Sequence, residues 1–398
     1  MYELIRAGER SYYIDCPAKI GLFEVEGGVC LVDSGNDKDA GRKVRQILDK
    51  NGWKLLAILV THSNADHIGG CQYLQKQTGC RVFAPGIEAA FTRSPVLESA
   101  FLYGGFPPKP LRHKFLMAQP SPAEDVSAPG FPAGVDILPL PGHFFDMTGY
   151  RTPDGTAYIA DCLSSAATLE KYGVPFIYDV AAYLDTLRKL PELEARLYVP
   201  AHAEAVEDIA PLAELNLRHV EALCEGVLEL CAEPLVFDEL LKRVFDRWAL
   251  QLTIEQYVLV GSTVKSILTN EKYKGDALLQ KTYKLDHLSK KVTRNRGELP
   301  QYYVEGSHPA IIDRETYARV QALIARNYLK TAPSKPLNTR YPFTGKILCE
   351  HCGKHFKRKT AYRRDAWQCQ TYLTYGRARC PAKQIPEDTL TALTMEVL

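Results

Sequence analysis

No apolar run in this chain of 398 residues approaches the ~20 residues needed to span a bilayer. The N-terminus, Met1-Tyr2-Glu3-Leu4-Ile5-Arg6, lacks the charged-then-apolar order of an export signal. Seven of the eleven cysteines (Cys16, Cys30, Cys71, Cys80, Cys162, Cys224 and Cys231) lack any pairing cadence, as expected of free thiols in a reducing compartment. Internal repeats and long low-complexity tracts are missing too. Together these absences exclude a helical membrane protein, a disulfide scaffold and a repeat solenoid. They set the expectation of a soluble cytoplasmic protein with no membrane partner. The length predicts two or three domains, and the 46% apolar share suits ordinary globular cores.

Net charge is also small, at +2, but it hides a split. Residues 1–263 hold 24 basic and 35 acidic side chains, whereas residues 264–398 hold 25 and 12. An acidic first part and a basic second part imply different partners. The basic part is the one that phosphate backbones attract.

What is present is most concentrated in Thr61-His62-Ser63-Asn64-Ala65-Asp66-His67, directly after the apolar stretch Leu55 to Val60. That stretch reads as a buried strand, so ligand-type residues stand where a strand ends and a loop begins. Imidazole nitrogens and carboxylate oxygens suit zinc or a similar first-row ion. More candidates follow later apolar runs: His143 after Ile137 to Gly142, Asp161 after Ala157 to Ala160, and His202 after Arg196 to Ala201. One edge of a sandwich would gather them all.

A second signature lies near the far end. Cys349 and Cys352 form a close pair, followed by Cys369 and Cys380, a set that suits a tetrahedral structural zinc site. Lys357, Arg358, Lys359, Arg363 and Arg364 crowd around it with Phe356, Tyr362 and Trp367, a mixture that favours a nucleic-acid surface.

The remaining pattern is mixed. Residues 11–33 read as a β-meander with a turn at Gly27-Gly28, closed by Asp33-Ser34-Gly35. Helices are predicted over 37–51, from Ile68 to Thr78 with Gly79 as stop, and over 178–190 and 203–231. Two more are predicted from Asp238 to Trp248 and from Thr253 to Leu268, and Arg81 to Ala84 reads as a short strand. Residues 118–134 read as a surface loop, with 104–134 shaping specificity, and Lys330 to Pro342 as a basic linker.

His62-x-Asn64-x-Asp66-His67, then His143, Asp161 and His202, resembles the metallo-β-lactamase-fold hydrolases over roughly residues 1–260. The resemblance implies an α/β (α+β) fold, an αββα sandwich with a metal centre at one edge. It implies zinc at one or two positions, with His62, Asn64 and His143 at the first site, Asp66, His67 and His202 at the second, and Asp161 bridging. It implies hydrolysis of an ester, thioester, lactam or phosphoester by metal-bound hydroxide, with Asp66 orienting the water or accepting its proton. Asn64 departs from the family's usual histidine. A neutral amide oxygen is a weaker ligand, so the second site is expected to bind tightly and the first weakly.

Ser262 to Gly275, then Glu305 to Asp313, then the cysteine set with Ile385-Pro386-Glu387, resembles the DNA-binding domain and zinc β-ribbon of large serine recombinases. A helix from Arg314 to Arg326 is expected with it. The recombinase's catalytic domain, with its serine and arginines, does not precede Ser262, so strand exchange is not expected. The join reads as a gene fusion, a mobile-element insertion or an assembly error. The expected order is a metallo-β-lactamase-like domain at 1–215, a helical, winged-helix-like tail at 216–261, a partial, small mixed α/β DNA-binding region at 262–329, a linker at 330–342 and a zinc ribbon at 343–398. Function is expected as a zinc hydrolase of a small-molecule substrate joined to a region that binds duplex DNA. The alternative is a DNA-binding recombinase remnant with a non-catalytic first domain.

Overall fold

A computed structural model describes residues 2–114, 116–233, 235–269, 274–280, 282–284, 292–295, 299–307, 313–315, 317–322, 341, 343–361 and 364–397. The chain divides into two compact units, residues 1–321 and residues 322–398.

The first unit is built on two sheets. The larger runs in sequence order through β1 (Glu3–Arg6), β2 (Ser11–Asp15), β3 (Ile20–Val25), β4 (Gly28–Val32), β5 (Leu55–Leu59), β6 (Arg81–Ala84) and β7 (Glu124–Asp125). Its first four strands form the antiparallel meander, and β4 through β7 are parallel. β5 lies between two parallel neighbours, which is why its sequence is apolar without alternation. The second sheet orders β11 (Leu197–His202), β10 (Thr156–Ser164), β9 (Thr148–Arg151) and β8 (Asp136–Pro139). Phe23, Val32, Leu59 and Phe83 of the first sheet bury against Tyr150, Tyr158 and Val199 of the second. On the outer face of the larger sheet, α1 (Lys38–Lys50) lays down Val44 and Leu48, and α3 (Cys71–Thr78) lays down Cys71 and Leu74, against Leu22, Leu31 and Ile58. Over the smaller sheet, α7 (Val180–Lys189), α8 (Ala210–Leu230), α9 (Phe237–Arg247) and α10 (Ile254–Thr269) enclose the largest core. The layers are therefore α, β, β, α, as expected.

Several local expectations are corrected. The helix expected from Ile68 to Thr78 is two helices, α2 (Ala65–Ile68) and α3, parted at Gly69-Gly70. A Cβ on Gly70 would lie 2.3 Å from the carbonyl oxygen of Ser34, so the chain passes too close there for any side chain. The helix expected over 203–231 begins only at Ala210, because Val206 first pairs back to Tyr198 and Pro211 favours a helix start. Helices α4 (Glu88–Arg93), α5 (Val96–Tyr103) and α6 (Ala166–Tyr172) were not foreseen; they are short, with little room for periodicity. Residues 118–134 are not wholly loop: Glu124 and Asp125 pair with Phe83 and Ala84 as the sheet's last strand.

α10 runs without a break across positions 261 and 262. On it, the Thr263 hydroxyl accepts from the Ile177 amide at 2.9 Å and donates to the Pro175 carbonyl, and Val264 and Ile267 are fully buried in the α7–α9 core. Tyr317 reaches the same core and donates to the Thr269 carbonyl. Short strands Ala277–Leu279 and Tyr302–Val304 pair beyond it, and Gly306 donates its amide to the buried Asp276. Of the expected helix from Arg314 to Arg326, positions 314–315 and 317–322 are helical and the others lie outside the described residues. Asn270 to Tyr273, His308 to Ile312 and, save Tyr341, the linker lie outside them as well.

The second unit is small. Strands Phe356–Ala361, Arg364–Cys369 and Ile385–Pro386 form one antiparallel sheet, with helices Gln370–Tyr375 and Glu387–Val397. Trp367 and Phe356 bury beside three of the cysteines. Among the described residues, no helix is long and apolar enough to cross a membrane.

Candidate functional site

The sandwich edge gathers residues from four places in the sequence. His62, Asp66 and His67 follow β5, His143 follows β8, and His202 ends β11. Asp161 was expected beyond its strand; it lies inside β10, which continues to Ser164. The strand is irregular there, with register shifts around Ala160, whose φ of +51° is left-handed. A bulge of this kind re-aims a side chain. Gly142, at φ +129°, lets the His143 loop lie against α7, where a Cβ would meet the Tyr183 amide at 2.3 Å.

One ligand atom from each of Asp66, His67, Asp161 and His202 lies within 4.8 Å of the others, and the same holds for His62, His143 and Asp161. Asp161 belongs to both groups. Its Oδ1 is 3.1 Å from His67 Nε2, and its Oδ2 is 3.3 Å from His202 Nε2 and 3.6 Å from His143 Nε2. Asp66 Oδ2 is 3.3 Å from His202 Nε2 and 3.8 Å from His67 Nε2.

The outer nitrogen of three imidazoles is engaged elsewhere. His67 Nδ1 donates to Asp33 at 2.8 Å, and His202 Nδ1 donates to the Pro17 carbonyl at 2.9 Å. The Thr61 hydroxyl donates to Asp33 and so accepts from His62 Nδ1 at 3.1 Å. Such bonds select the tautomer whose Nε2 lone pair points inward. The Nε2 atoms of His62 and His67 and the Oδ1 of Asp161 are buried with no hydrogen-bond partner among the described residues. Buried polar atoms are rarely left so, and a divalent cation satisfies all three. The residues therefore fit the metal the fold implies.

Electrostatics agree. Burial alone opposes charge on His67, but Asp161, Asp66 and Asp33 outweigh it and hold that imidazole well above its ordinary range. His202 is half-buried, which opposes charge on it, yet Asp161 and Asp66 push it up to about 10. Burial opposes ionisation of Asp66 and Asp161, and the imidazoles overcome it and keep both carboxylates ionised. His62, buried and facing His67, is driven the other way, toward the neutral form. A bound cation takes over the role of those protons.

Sequence reasoning missed four contributors. Asp33 anchors His67 and also accepts from the Thr61 amide and hydroxyl, at 2.8 and 2.7 Å. The run Asp33-Ser34-Gly35 was visible as a strand end, without this role. Thr61 was read only as the start of the motif. Glu88 is fully buried and accepts from the Ser63 amide at 2.9 Å, the Ser63 hydroxyl at 2.5 Å and the Asp146 amide at 3.0 Å. It ties the His62 loop to the His143 loop, and its burial raises the carboxyl to about 7 against those hydrogen bonds. Glu98 is buried beside Asn64. No sequence signal marked either glutamate, since both lie on helices too short to read. An aromatic wall flanks the centre: Phe176 meets His143 edge-on at 5.5 Å, Phe145 stacks on Tyr178 at 4.2 Å, and Phe101 touches both.

In the second unit, the Sγ atoms of Cys349 and Cys380 are 3.5 Å apart, those of Cys352 and Cys369 3.4 Å, and those of Cys369 and Cys380 3.7 Å. These are too long for disulfides, whose S–S bond is about 2.05 Å, and near the ~3.8 Å edge of a tetrahedron of thiolates on one ion. The basic run beside them does not act as a block. Strand alternation sends Lys357 and Lys359 to one face and Arg358 to the other. Arg358 pairs with Asp365 at 2.6 Å and Glu387 at 2.5 Å and lies over the Tyr341 ring. Lys357 is exposed. Arg363 and the Arg364 side chain lie outside the described residues.

Residues 13–202 match the metallo-beta-lactamase superfamily. The hydroxyacylglutathione hydrolase of Methylobacillus flagellatus is 30% identical over 206 residues, 51% of this chain and 69% of that protein. The chain belongs to the metallo-beta-lactamase superfamily. A hydroxyacylglutathione hydrolase of Nitrobacter winogradskyi is 45% identical over 201 residues, 50% of this chain and 68% of that protein. A metallo-beta-lactamase family protein from Thermus thermophilus superposes with a TM-score of 0.50 at 22% identity, covering 67% of this chain and 95% of that one, a likeness of fold. Residues 252–327 match the recombinase family and residues 342–398 the recombinase zinc beta ribbon domain. A member of a hydrolase superfamily is thus joined to recombinase domains in one chain.

Proposed function

We propose that this chain is a zinc-dependent hydrolase of acyl thioesters, of the hydroxyacyl-glutathione kind that its relatives' names describe. It is coupled to a DNA-binding region that performs no strand exchange. The observation that carries the hydrolase reading is the convergence of His62, His67, His143, His202, Asp66 and Asp161, among whose ligand atoms His62 Nε2, His67 Nε2 and Asp161 Oδ1 are buried with no hydrogen-bond partner among the described residues.

His62, Asn64 and His143 would hold one ion, Asp66, His67 and His202 the other, and Asp161 would be shared. Divalent zinc supplies Lewis acidity and makes hydroxide available near neutral pH. The protein supplies the rest. Asp33, Pro17 and Thr61 fix the imidazoles. Asp66, kept ionised by His67 and His202, is a weak base, so its part is to orient the attacking water rather than to take its proton. The wall of Phe101, Phe145, Phe176 and Tyr178 offers an apolar seat beside the reacting carbonyl and limits water there. In the second unit one structural zinc would hold the ribbon, and Lys357 and Lys359 would contact phosphates of duplex DNA. The absence of strand exchange is supported by the architecture of residues 1–251, which is the sandwich and its helices.

The test is thiol release from a hydroxyacyl-glutathione thioester by the zinc-loaded full chain, beside ester, lactam and phosphoester substrates. Turnover of the thioester, lost more than about 100-fold in Asp161→Ala, is the expected result. A protein loaded with zinc at the sandwich and inert toward the whole panel would sink the reading.

A further inference from the structure

Asn64 occupies the one position in the ligand series where an imidazole is missing. A side-chain amide has a donor end and an acceptor end, and its hydrogen-bond partner decides which end faces the centre. Here Nδ2 donates to Glu98 Oε1 at 2.6 Å, and Oδ1 faces His143 Nε2 at 3.1 Å. Glu98 projects from α5, which belongs to neither ligand-bearing sheet. It is 4% exposed, and its second oxygen has no partner among the described residues. A buried carboxyl group with no cation beside it needs a reason to be there. Donors about 2.1 Å from a common ion stand roughly 3.0 to 3.4 Å apart, depending on geometry, and the Asn64–His143 separation falls within that range.

We infer that Glu98 is a positioning residue that clamps the Asn64 amide with its oxygen turned inward. The first site would then be completed as two imidazoles, one shared carboxylate and one amide oxygen. This rests on reading the cluster as a metal centre, and it revises the expectation of a depleted site. A carboxyl oxygen accepting from the amide nitrogen also polarises the amide toward its oxygen, which makes that oxygen a better ligand. Replacing nitrogen by oxygen gives the first site two nitrogens and two oxygens, as at the second, so it accepts manganese(II) more readily than a site with a third imidazole would.

The experiment is metal titration of the full chain after metal removal. Bound manganese and zinc are counted by elemental analysis, and manganese(II) electron paramagnetic resonance distinguishes a lone ion from a neighbouring pair. The wild type is expected to hold two ions beyond the ribbon's, with a coupled manganese signal. Glu98→Leu should keep the second-site ion and bind the first some 10- to 100-fold more weakly. Glu98→Gln, which still presents an acceptor oxygen to Asn64, should restore most of that affinity. Asn64→His combined with Glu98→Leu should recover a first ion, now with zinc preferred, because an imidazole needs no clamp. Retention of the second-site ion reports that each variant is folded. Equal first-site affinity in wild type and Glu98→Leu overturns the clamp while leaving the metal centre intact. No ion beyond the ribbon's in the wild type overturns the metal-centre reading and the clamp with it.

Discussion

Cys349, Cys352, Cys369 and Cys380 come from one short stretch of chain, around a small core led by Trp367 and Phe356. His62, Asp66, His67, His143, Asp161 and His202 come from loops and strands of two sheets, each with its own large core. In the ribbon the ligands supply much of the tertiary structure. In the sandwich, the structure exists to place the ligands. The direction of dependence between ion and fold is therefore opposite in the two units, and this sets what each should do when its ligands are disturbed.

The largest effect should follow from Cys369→Ser. A structural zinc contributes on the order of 10 kcal/mol to a small domain. We expect loss of the ribbon's protection against proteolysis and weaker retardation of duplex DNA, with thioester hydrolysis unchanged. Chelation should reproduce this at the ribbon and abolish turnover at the sandwich, while the circular dichroism of the sandwich persists. An unfolded sandwich would erase the contrast.

Next is a pH effect confined to the sandwich. Burial raises the Glu88 carboxyl to about 7 in the folded protein, above its ordinary 4.5. A raised folded value favours the protonated native state. The stabilisation is fully present below about pH 4.5 and is lost as pH climbs through 7, by on the order of 3 kcal/mol. The melting temperature of wild type relative to Glu88→Gln should fall across that window. A difference independent of pH would show that Glu88 is not held protonated.

Asp33→Ala removes the anchor of His67 Nδ1. Loss of such an outer partner weakens a metal site about 10- to 100-fold, so competition with a chromophoric chelator should show that shift at the second site and none at the ribbon. The smallest contrast lies within the ribbon. Arg358→Met should lower its stability, since Arg358 joins Asp365 and Glu387. Lys357→Ala should leave stability alone and reduce the salt dependence of DNA binding by about one charge. The reverse result would mean that Arg358 is the phosphate contact.

Much of the candidate centre was legible because its ligands follow apolar runs: Leu55 to Val60 marks a strand whatever surrounds it, and His62 to His67 must then stand at its end. The four cysteines were legible by spacing alone. Glu88 and Glu98 were not, since nothing in a sequence tells a buried glutamate from a solvated one on a one-turn or two-turn helix. Arg358 was misleading in the opposite sense, as part of a basic run that strand alternation and two carboxylates divide. Thr263 belongs by motif to the recombinase pattern and by packing to the α7–α10 core, and only folding shows the second membership.

The sequence by itself determined the longer elements and which ligand types stand at or near their ends, because apolar periodicity and residue chemistry act locally. Tertiary structure decided that Asp161 turns inward from a bulge, that Asp33 and Pro17 fix two imidazoles, and that Asn64 is met by a buried glutamate. Those outcomes depend on atoms that are distant in sequence and are brought within 3 Å or so only when two sheets close on a shared core.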